Sequence, residues 1–175
     1  AGSMSKEVIN WTQGDVMNQF ISGNIAMMVN GPWQVPTMRE QAPDLNWDVT
    51  LLPKDAEYAS CLGGENFGVI DGDNVDAALD FLQFATSKDE VASYIDDFGY
   101  IAARKDVAEG QFTDDETMQK FTEEMQYAQP RGPHAQWPEI SDALSLAVNE
   151  SITGTSTPAD AAAKAQSTID GILAE

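Results

Sequence analysis

The sequence predicts a mixed α/β chain that is rich in helices and has few strands. Three short apolar segments are bounded by turn residues, whereas about seven longer segments repeat apolar residues at helical spacing. Strands alternate with helices only in the first third of the 175 residues. Because a doubly wound sheet needs strands along its whole chain, the pattern indicates part of a larger α/β fold.

The first 70 residues supply all three predicted strands. Residues 13–22 form the first predicted helix, which Gly23 ends. The apolar run 25–29 stops at Asn-Gly and predicts a buried strand. Pro32 opens a short helix that Pro36 disturbs. The two further strands are predicted over residues 47–51 and 67–70.

The remaining chain predicts helices, each with a recognisable start. Ser87 and Thr113 each stand three residues before a glutamate, which is the capping-box pattern. Pro138 and Pro158 occupy first helical positions. The predicted helices cover residues 75–86, 87–98, a segment from 113 through Met125, 138–148 and 158–173.

Composition excludes several classes of function. The chain has 29 acidic and 9 basic residues and a formal net charge of -20, which repels nucleic acid and anionic membranes. Cys61 is the single cysteine and His134 the single histidine, so an intrachain disulfide and a zinc cluster are both excluded. Neither a metal nor a cofactor is therefore predicted.

Motifs of catalysis are also missing from the sequence. It contains neither a nucleophile-elbow serine, nor a phosphate-binding loop with lysine, nor a zinc-protease histidine pair. Residues 71–76 resemble a calcium loop only loosely, because Asp76 stands where that loop needs glycine. Glu65 lies in a site-like context, but a glycosidase would need a second matching carboxylate.

Two tryptophans and a glycine-rich cluster form the candidate site. Trp33 follows Gly-Pro, Trp137 precedes a proline, and residues 63–66 read Gly-Gly-Glu-Asn before a predicted strand. A sugar ring needs this mixture, because its C–H face stacks on an aromatic ring while its hydroxyls need donors and acceptors. Each tryptophan taken alone is equally compatible with packing. The predicted site residues are Trp33, Gly63, Gly64, Glu65, Asn66 and Trp137.

Residues 20–33 resemble the segment "F-x-x-G-x-x-A-M-x-x-x-G-x-W" of bacterial extracellular solute-binding proteins, the maltose-binding-protein-like receptors of ABC sugar importers. The similarity continues in order along the chain. It includes the predicted strand that ends in Leu-Pro at Pro53, the glycine pair at 63–64, the helix over 77–84, the helix that begins at Ser87, and the closing helix. Residues 98–106 are similar to "G-x-x-P-x-R-x-D", with Ala102 in place of the usual proline.

The resemblance implies the C-terminal portion of a two-lobed, class II periplasmic-binding-protein-like fold. Residues 12–60 and 113–175 would belong to the C-terminal lobe, and residues 61–112 would hold the hinge crossing and a segment of the N-terminal lobe. Trp33 would stack on the ligand, and Arg104 and Trp137 would add contacts. Residues 1–11, which begin with a segment typical of a cloning remnant, are expected to be loose or disordered.

The function implied by the resemblance is carbohydrate binding, without catalysis, for an ABC importer. The expected partners are an oligosaccharide and the membrane subunits of the permease, and nucleic acid is not expected. A non-sugar solute and a carbohydrate-active enzyme remain alternatives. The location implied is extracellular, as a cell-surface lipoprotein, or periplasmic in a Gram-negative cell. Because its strands would lack neighbours, the fragment is also expected to self-associate.

Overall fold

The computed structural model describes residues 3–174 and divides into two compact units. One unit joins the chain up to Val16 with the chain from Gly132 onward, and the other is Met17–Arg131. The helices among the described residues are α1 (Gln13–Ile21), α2 (Gln34–Gln41), α3 (Val75–Ala85), α4 (Lys88–Tyr94), α5 (Lys105–Ala108), α6 (Glu116–Glu124), α7 (Trp137–Thr153) and α8 (Pro158–Leu173). Short 3-10 helices cover Lys6–Asn10 and Met125–Tyr127, and the strands are β1 (Ser60–Leu62) and β2 (Ala128–Pro130).

The helix-rich fold class is confirmed, and three helices lie close to their predicted bounds. These are α1, α3 and α8, whose ends differ from the predicted ends by no more than one residue. Gly23 takes φ +73° after α1, as a helix-ending glycine does. The Thr157 hydroxyl accepts a bond from the Asp160 N–H, so the sequence signal for the start of α8 is the cap observed.

Other helix bounds moved. The α6 cap is Asp115, whose carboxylate accepts the Met118 N–H, instead of Thr113 two residues earlier. Helix α7 runs to Thr153, five residues beyond the predicted end at residue 148. Gly154, with φ +79°, ends it. Helix α4 ends at Tyr94, earlier than predicted, and the one-turn helix α5 was not predicted.

The three predicted strands are wrong. Residues 25–29, 47–51 and 67–70 run without forming a ladder, and the sheet found between residues 3 and 174 is the parallel pair of β1 and β2. Along 45–51 the burial still alternates with a period of two, so the amphipathic pattern was real. A strand also needs a neighbour to accept its backbone bonds, and periodicity cannot report whether that neighbour exists.

The unit Met17–Arg131 is built around small apolar contacts between its helices. Val91, Ala102 and Val107 form one buried cluster, against which Tyr94 and Ile95 pack. Met38 of α2 and Met118 of α6 are the largest fully buried side chains among the described residues. Beside them, Arg39 and Asp115 form a bidentate ion pair with N–O distances of 2.7 and 2.8 Å. This pair joins α2 to α6, so the helix that follows Trp33 has a fixed support.

The second unit is an α7–α8 pair joined by a short connection. Ile140, Ala161 and Ala165 are buried between the helices, where alanines allow close approach. Lys164 donates to Glu150 at 2.7 Å, and Lys6 donates to the Thr153 carbonyl at 2.8 Å. The latter bond ties the first 3-10 helix to the end of α7.

The start of the chain contains a short capped helix, and the expectation that residues 1–11 are loose stays a prediction. The Ser5 side chain accepts the Glu7 N–H and caps the 3-10 helix over Lys6–Asn10. The first two residues of the expected cloning remnant, and residue 175 of the last expected lobe segment, lie outside the described residues. The expected lobe boundaries at 60 and 112 stay a prediction.

Candidate functional site

Trp33 lies in a turn that leads into α2. The Gln34 N–H donates to the Gly31 carbonyl at 3.2 Å, and the Val35 N–H donates to the Pro32 carbonyl at 3.0 Å. Pro36 is tolerated because the first N–H groups of a helix have no intrahelical acceptor. The turn therefore sets the direction of Trp33 before the first regular residue of the helix, and the side chain is left half-buried.

Gly31 packs directly against the indole ring of Trp33. A Cβ added at Gly31 would lie far inside van der Waals contact with the six-membered ring of Trp33. No residue other than glycine can occupy that position while the ring stays in place. The Gly-Pro-Trp sequence thus has a packing explanation that holds whether or not a ligand binds.

Tyr100 is an aromatic partner of Trp33. Their ring centroids lie 5.9 Å apart with the planes tilted by 36°, and Tyr100 is 37% exposed. Gly99 makes this approach possible: its φ is +66°, and an added Cβ would lie 2.8 Å from the Pro32 carbonyl oxygen and 2.9 Å from Pro36 Cδ. The two rings are therefore brought together by glycine on both sides.

The aromatic contacts continue away from Trp33. Phe98 lies 6.5 Å from Tyr100 and 6.2 Å from Tyr94, measured between ring centroids. Phe98 is 57% exposed, so the row formed by Trp33, Tyr100 and Phe98 presents apolar faces to the surface. A row of tilted, partly exposed rings can hold flat C–H surfaces, while the tyrosine hydroxyl remains available as donor or acceptor.

The predicted cluster at residues 63–66 lies on an exposed stretch after β1. An added Cβ at Gly63 or Gly64 would meet no heavy atom within 4 Å. The described residues therefore do not themselves require glycine at these two positions. Glu65 and Asn66 are likewise exposed, and both side chains face open surface.

Arg104 forms a tight local network. Its guanidinium donates to both carboxylate oxygens of Asp106, at 3.0 and 2.9 Å, and to the Thr86 carbonyl at 3.1 Å. The hydrogen bonds with Arg104 lower the pKa of the Asp106 carboxyl. Arg104 thus joins the end of α3 to the start of α5, and this network accounts for its position without a ligand.

Trp137 is the first residue of α7 and belongs to the other unit. Its ring packs on Gly132, whose φ is +75° and whose added Cβ would lie 3.9 Å from the ring. The Trp137 N–H donates to the His134 carbonyl at 3.1 Å, while His134 Nδ1 accepts the Gln136 N–H at 3.2 Å. The ring is half-buried, so it could still offer one face to a ligand.

Sequence reasoning missed Tyr100 and Phe98. The two aromatic residues lie in segment 98–106, where the resemblance implied a ligand contact from Arg104 alone. The signal that could have found them is the alternation of Phe98, Gly99 and Tyr100, because a glycine between two aromatics often marks a bend that shows both rings on one side.

Two properties of residues 3–174 bear on function. No helix in this range has both the length and the apolar character needed to cross a membrane. In the same range, no group of three or more His, Cys, Asp or Glu residues is arranged to hold a metal ion.

The sequence is similar to curated proteins of about twice its length or more. Candidate binding proteins of Brucella abortus (strain 2308) and Brucella suis biovar 1 (strain 1330) are each 28% identical over 166 residues. The match covers 90% of this chain but 40% of either relative. The chain therefore spans well under half the length of these relatives.

The fold is similar to that of a larger solved structure. An ABC substrate-binding protein from Listeria monocytogenes in complex with cycloalternan superposes with a TM-score of 0.68 at 21% identity, covering 95% of this chain and 46% of that one. At this identity the likeness concerns the fold. The family model described as bacterial extracellular solute-binding protein matches residues 3–120, about two thirds of the chain, and this chain belongs to that family.

Proposed function

We propose that this chain carries part of the ligand site of a carbohydrate-binding component of an ABC importer, with Trp33 as the ring on which a sugar stacks. The observation that carries the proposal is the half-buried Trp33 held against the partly exposed Tyr100 by Gly31 and Gly99. Rigid aromatic faces are what a pyranose ring requires, because its C–H patch gains little from polar surface. The cycloalternan bound by the Listeria protein of the same fold supports this choice of ligand.

The polar part of the site is proposed to come from the exposed stretch at residues 63–66. Glu65 offers carboxylate oxygens, and Asn66 offers both a donor and an acceptor. Gly63 and Gly64 would allow ligand hydroxyls to reach backbone groups. Trp137 is a further candidate for stacking. Arg104 is a weaker candidate for a ligand contact, because its guanidinium already donates three hydrogen bonds within the chain.

The protein acts by binding, and the proposal includes no catalytic step. Its family is one of extracellular solute-binding proteins, which puts the protein outside the cytoplasm. A lipid anchor at the cell surface and docking on the permease subunits belong to the proposal. So does hinge closure over the sugar, the usual way in which a two-lobed receptor signals that it is occupied.

The proposal is tested by replacing Trp33 in the complete gene product that contains these residues. Trp33→Ala should weaken binding of an oligosaccharide found on a glycan array by about 1–3 kcal/mol, since the stacking face is lost. Trp33→Phe should recover part of that loss. Isothermal titration measures the affinities, and circular dichroism checks that both variants are folded.

Trp11→Ala is the matched control, because Trp11 is a half-buried tryptophan next to the first 3-10 helix. Its replacement should leave the affinity within about a factor of two, as surface substitutions away from a site do. Equal affinity for Trp33→Ala and the parent protein contradicts the proposal. Release of shorter sugars from a labelled oligosaccharide would instead identify an enzyme.

A further inference from the structure

Gln111 holds the bend that carries Tyr100 through three hydrogen bonds. Its side-chain carbonyl accepts the Ala102 N–H at 2.7 Å. Its amide donates to the Tyr100 carbonyl at 3.1 Å and to the Asp96 carboxylate at 2.5 Å. One side chain therefore bonds to the chain before, at and after the aromatic residues Phe98 and Tyr100.

The bend is also held by its own backbone, since the Gly99 N–H donates to the Asp96 carbonyl at 2.9 Å and the Tyr100 N–H donates to the Ile95 carbonyl at 3.3 Å. A third support is the contact between Gly99 and the Trp33 turn. Gly99 lies directly against the Pro32 carbonyl and the Pro36 ring. Gln111 adds a support from outside the bend, because it follows α5 in the chain and bonds to Ala102, which precedes α5. Tyr100 thus follows a glycine that packs on the turn orienting Trp33, and its own carbonyl accepts the Gln111 amide.

The first of the three bonds depends on Ala102. The pattern that residues 98–106 resemble has a proline at this place, and a proline nitrogen has no hydrogen to donate. In this chain the Ala102 N–H is present, and Gln111 accepts it while the Ala102 side chain is buried beside Val91 and Val107. The substitution that departs from the family pattern is therefore the one that allows this hydrogen bond.

We infer that Gln111 is the positioning residue of the aromatic pair: it sets the tilt of Tyr100 against Trp33, so that both rings form one stacking surface. The inference rests on the proposed function of Trp33. Gln111 need not touch the ligand, since it acts through the backbone on either side of Tyr100. A side chain that loses these bonds frees the bend and costs affinity through lost preorganisation.

A spectroscopic experiment tests the inference without a ligand. A version with Trp11, Trp47 and Trp137 replaced by Phe leaves Trp33 as the only tryptophan. Gln111→Met, which keeps the size of the side chain but not its hydrogen bonds, should change the near-ultraviolet circular dichroism of Trp33 and its energy transfer from tyrosine. An unchanged spectrum in a folded Gln111→Met protein overturns the inference.

Gln119 provides a matched control. Its amide donates to the Phe112 and Thr113 carbonyls at 3.0 and 2.7 Å, so it also ties a turn to a helix in the same unit. Gln119→Met should leave the Trp33 signal unchanged although it removes a similar network. An equal change in both variants overturns the inference, because the signal would then report general loosening.

A rescue experiment covers the case in which Gln111→Met unfolds. Gln111→Glu puts a second carboxylate against Asp96 and removes the donors, so the Trp33 signal should be lost. Adding Asp96→Asn supplies an amide donor and removes one of the two charges, and part of the signal should return. A double variant no closer to the parent than Gln111→Glu alone overturns the inference.

Binding of cycloalternan or of an array-identified oligosaccharide by the complete gene product separates the two proposals. We expect Gln111→Met to weaken binding about three- to ten-fold, and Gln119→Met to leave it unchanged. Loss of affinity in Trp33→Ala but not in Gln111→Met overturns the role of Gln111 and keeps the proposed function. Equal affinity in Trp33→Ala overturns the proposed function, and the spectra alone then decide whether Gln111 sets the pair.

Discussion

The Trp33 turn and the stretch at residues 63–66 were both predicted to contact a ligand, yet the glycines that surround them differ in their packing. Gly31 and Gly99 each lie where a Cβ would collide with a ring or a carbonyl. Gly63 and Gly64 have open space around them. Glycine is thus required by internal packing in the first region. In the second, any requirement must come from a molecule or a chain segment that reaches that surface.

The largest expected effect is self-association of the chain through the exposed surface at and after residues 63–66. Phe67 and Ile70 are 65% and 90% exposed, and the extended backbone around them forms no ladder. Exposed apolar segments with free backbone groups recruit other chains, so we predict that this 175-residue chain self-associates at micromolar concentration. Light scattering should give a mass above 19.0 kDa.

Salt and substitution sharpen this test. The net charge of -20 opposes association, so the mass should rise with salt as the repulsion is screened. Replacing both apolar residues, as Phe67→Ser and Ile70→Thr, should restore the monomer, whereas Leu144→Ser at an exposed position of α7 should not. A monomer at every salt concentration contradicts the prediction.

The next largest effect is on stability at the two kinds of glycine. Gly99→Ala should lower the free energy of unfolding by more than about 2 kcal/mol, since it combines a left-handed φ with collision against Pro32 and Pro36. Gly63→Ala should leave it unchanged or raise it by about 0.5 kcal/mol, because only the unfolded chain loses freedom. Urea unfolding followed by circular dichroism measures both.

Equal destabilisation by the two substitutions would remove the distinction between the regions. A ligand-bound measurement adds to it: if Gly63 makes room for a sugar, Gly63→Ala should lower affinity in the complete gene product without lowering stability.

Gly31→Ala tests the effect of moving the Trp33 ring while the residue itself is kept. The new methyl group would displace the indole from its place on Gly31, so stability should fall by about 1–3 kcal/mol, as in other overpacked sites. Trp33 fluorescence should shift toward the exposed range while the far-ultraviolet spectrum stays the same. An unshifted emission would mean that the turn, and not the indole, absorbs the change.

The smallest effect concerns the support under the turn. Hydrogen bonds from Arg39 lower the pKa of Asp115, with smaller lowering from its bond to the Met118 N–H. The folded pKa lies below the unfolded value of about 3.9, so this stabilisation is present above that pH and disappears as the pH falls through the folded pKa. Asp115→Asn should lower the free energy of unfolding near neutral pH by no more than about 1 kcal/mol. The variant should also lose less stability than the parent when the pH is lowered.

Asp114→Asn is the matched control, because Asp114 lies one residue before the cap. Asp114→Asn should lose stability with falling pH as steeply as the parent protein does. Thermal unfolding between pH 2 and pH 7 measures the three proteins. If Asp115→Asn and the parent lose stability in parallel over this range, the ion pair contributes nothing to the support of α2.

Local signals decided most of the helices and the position of Trp33. Caps, helix-ending glycines and proline positions act within one turn of chain, which is why α1, α3 and α8 were predicted almost to the residue. The Gly-Pro-Trp order also acts locally, and it put Trp33 at a turn before a helix. Charge and the cysteine and histidine counts are properties of the sequence alone.

The strands and the aromatic row were decided by tertiary structure. A ladder depends on a neighbouring segment, so the alternating residues 45–51 look like a strand although the described chain pairs only β1 with β2. Tyr100 meets Trp33 across 67 positions of sequence, through a glycine contact and the three bonds of Gln111. Composition and spacing carry no record of such contacts, because their energy depends on which distant backbone groups the fold brings within bonding distance.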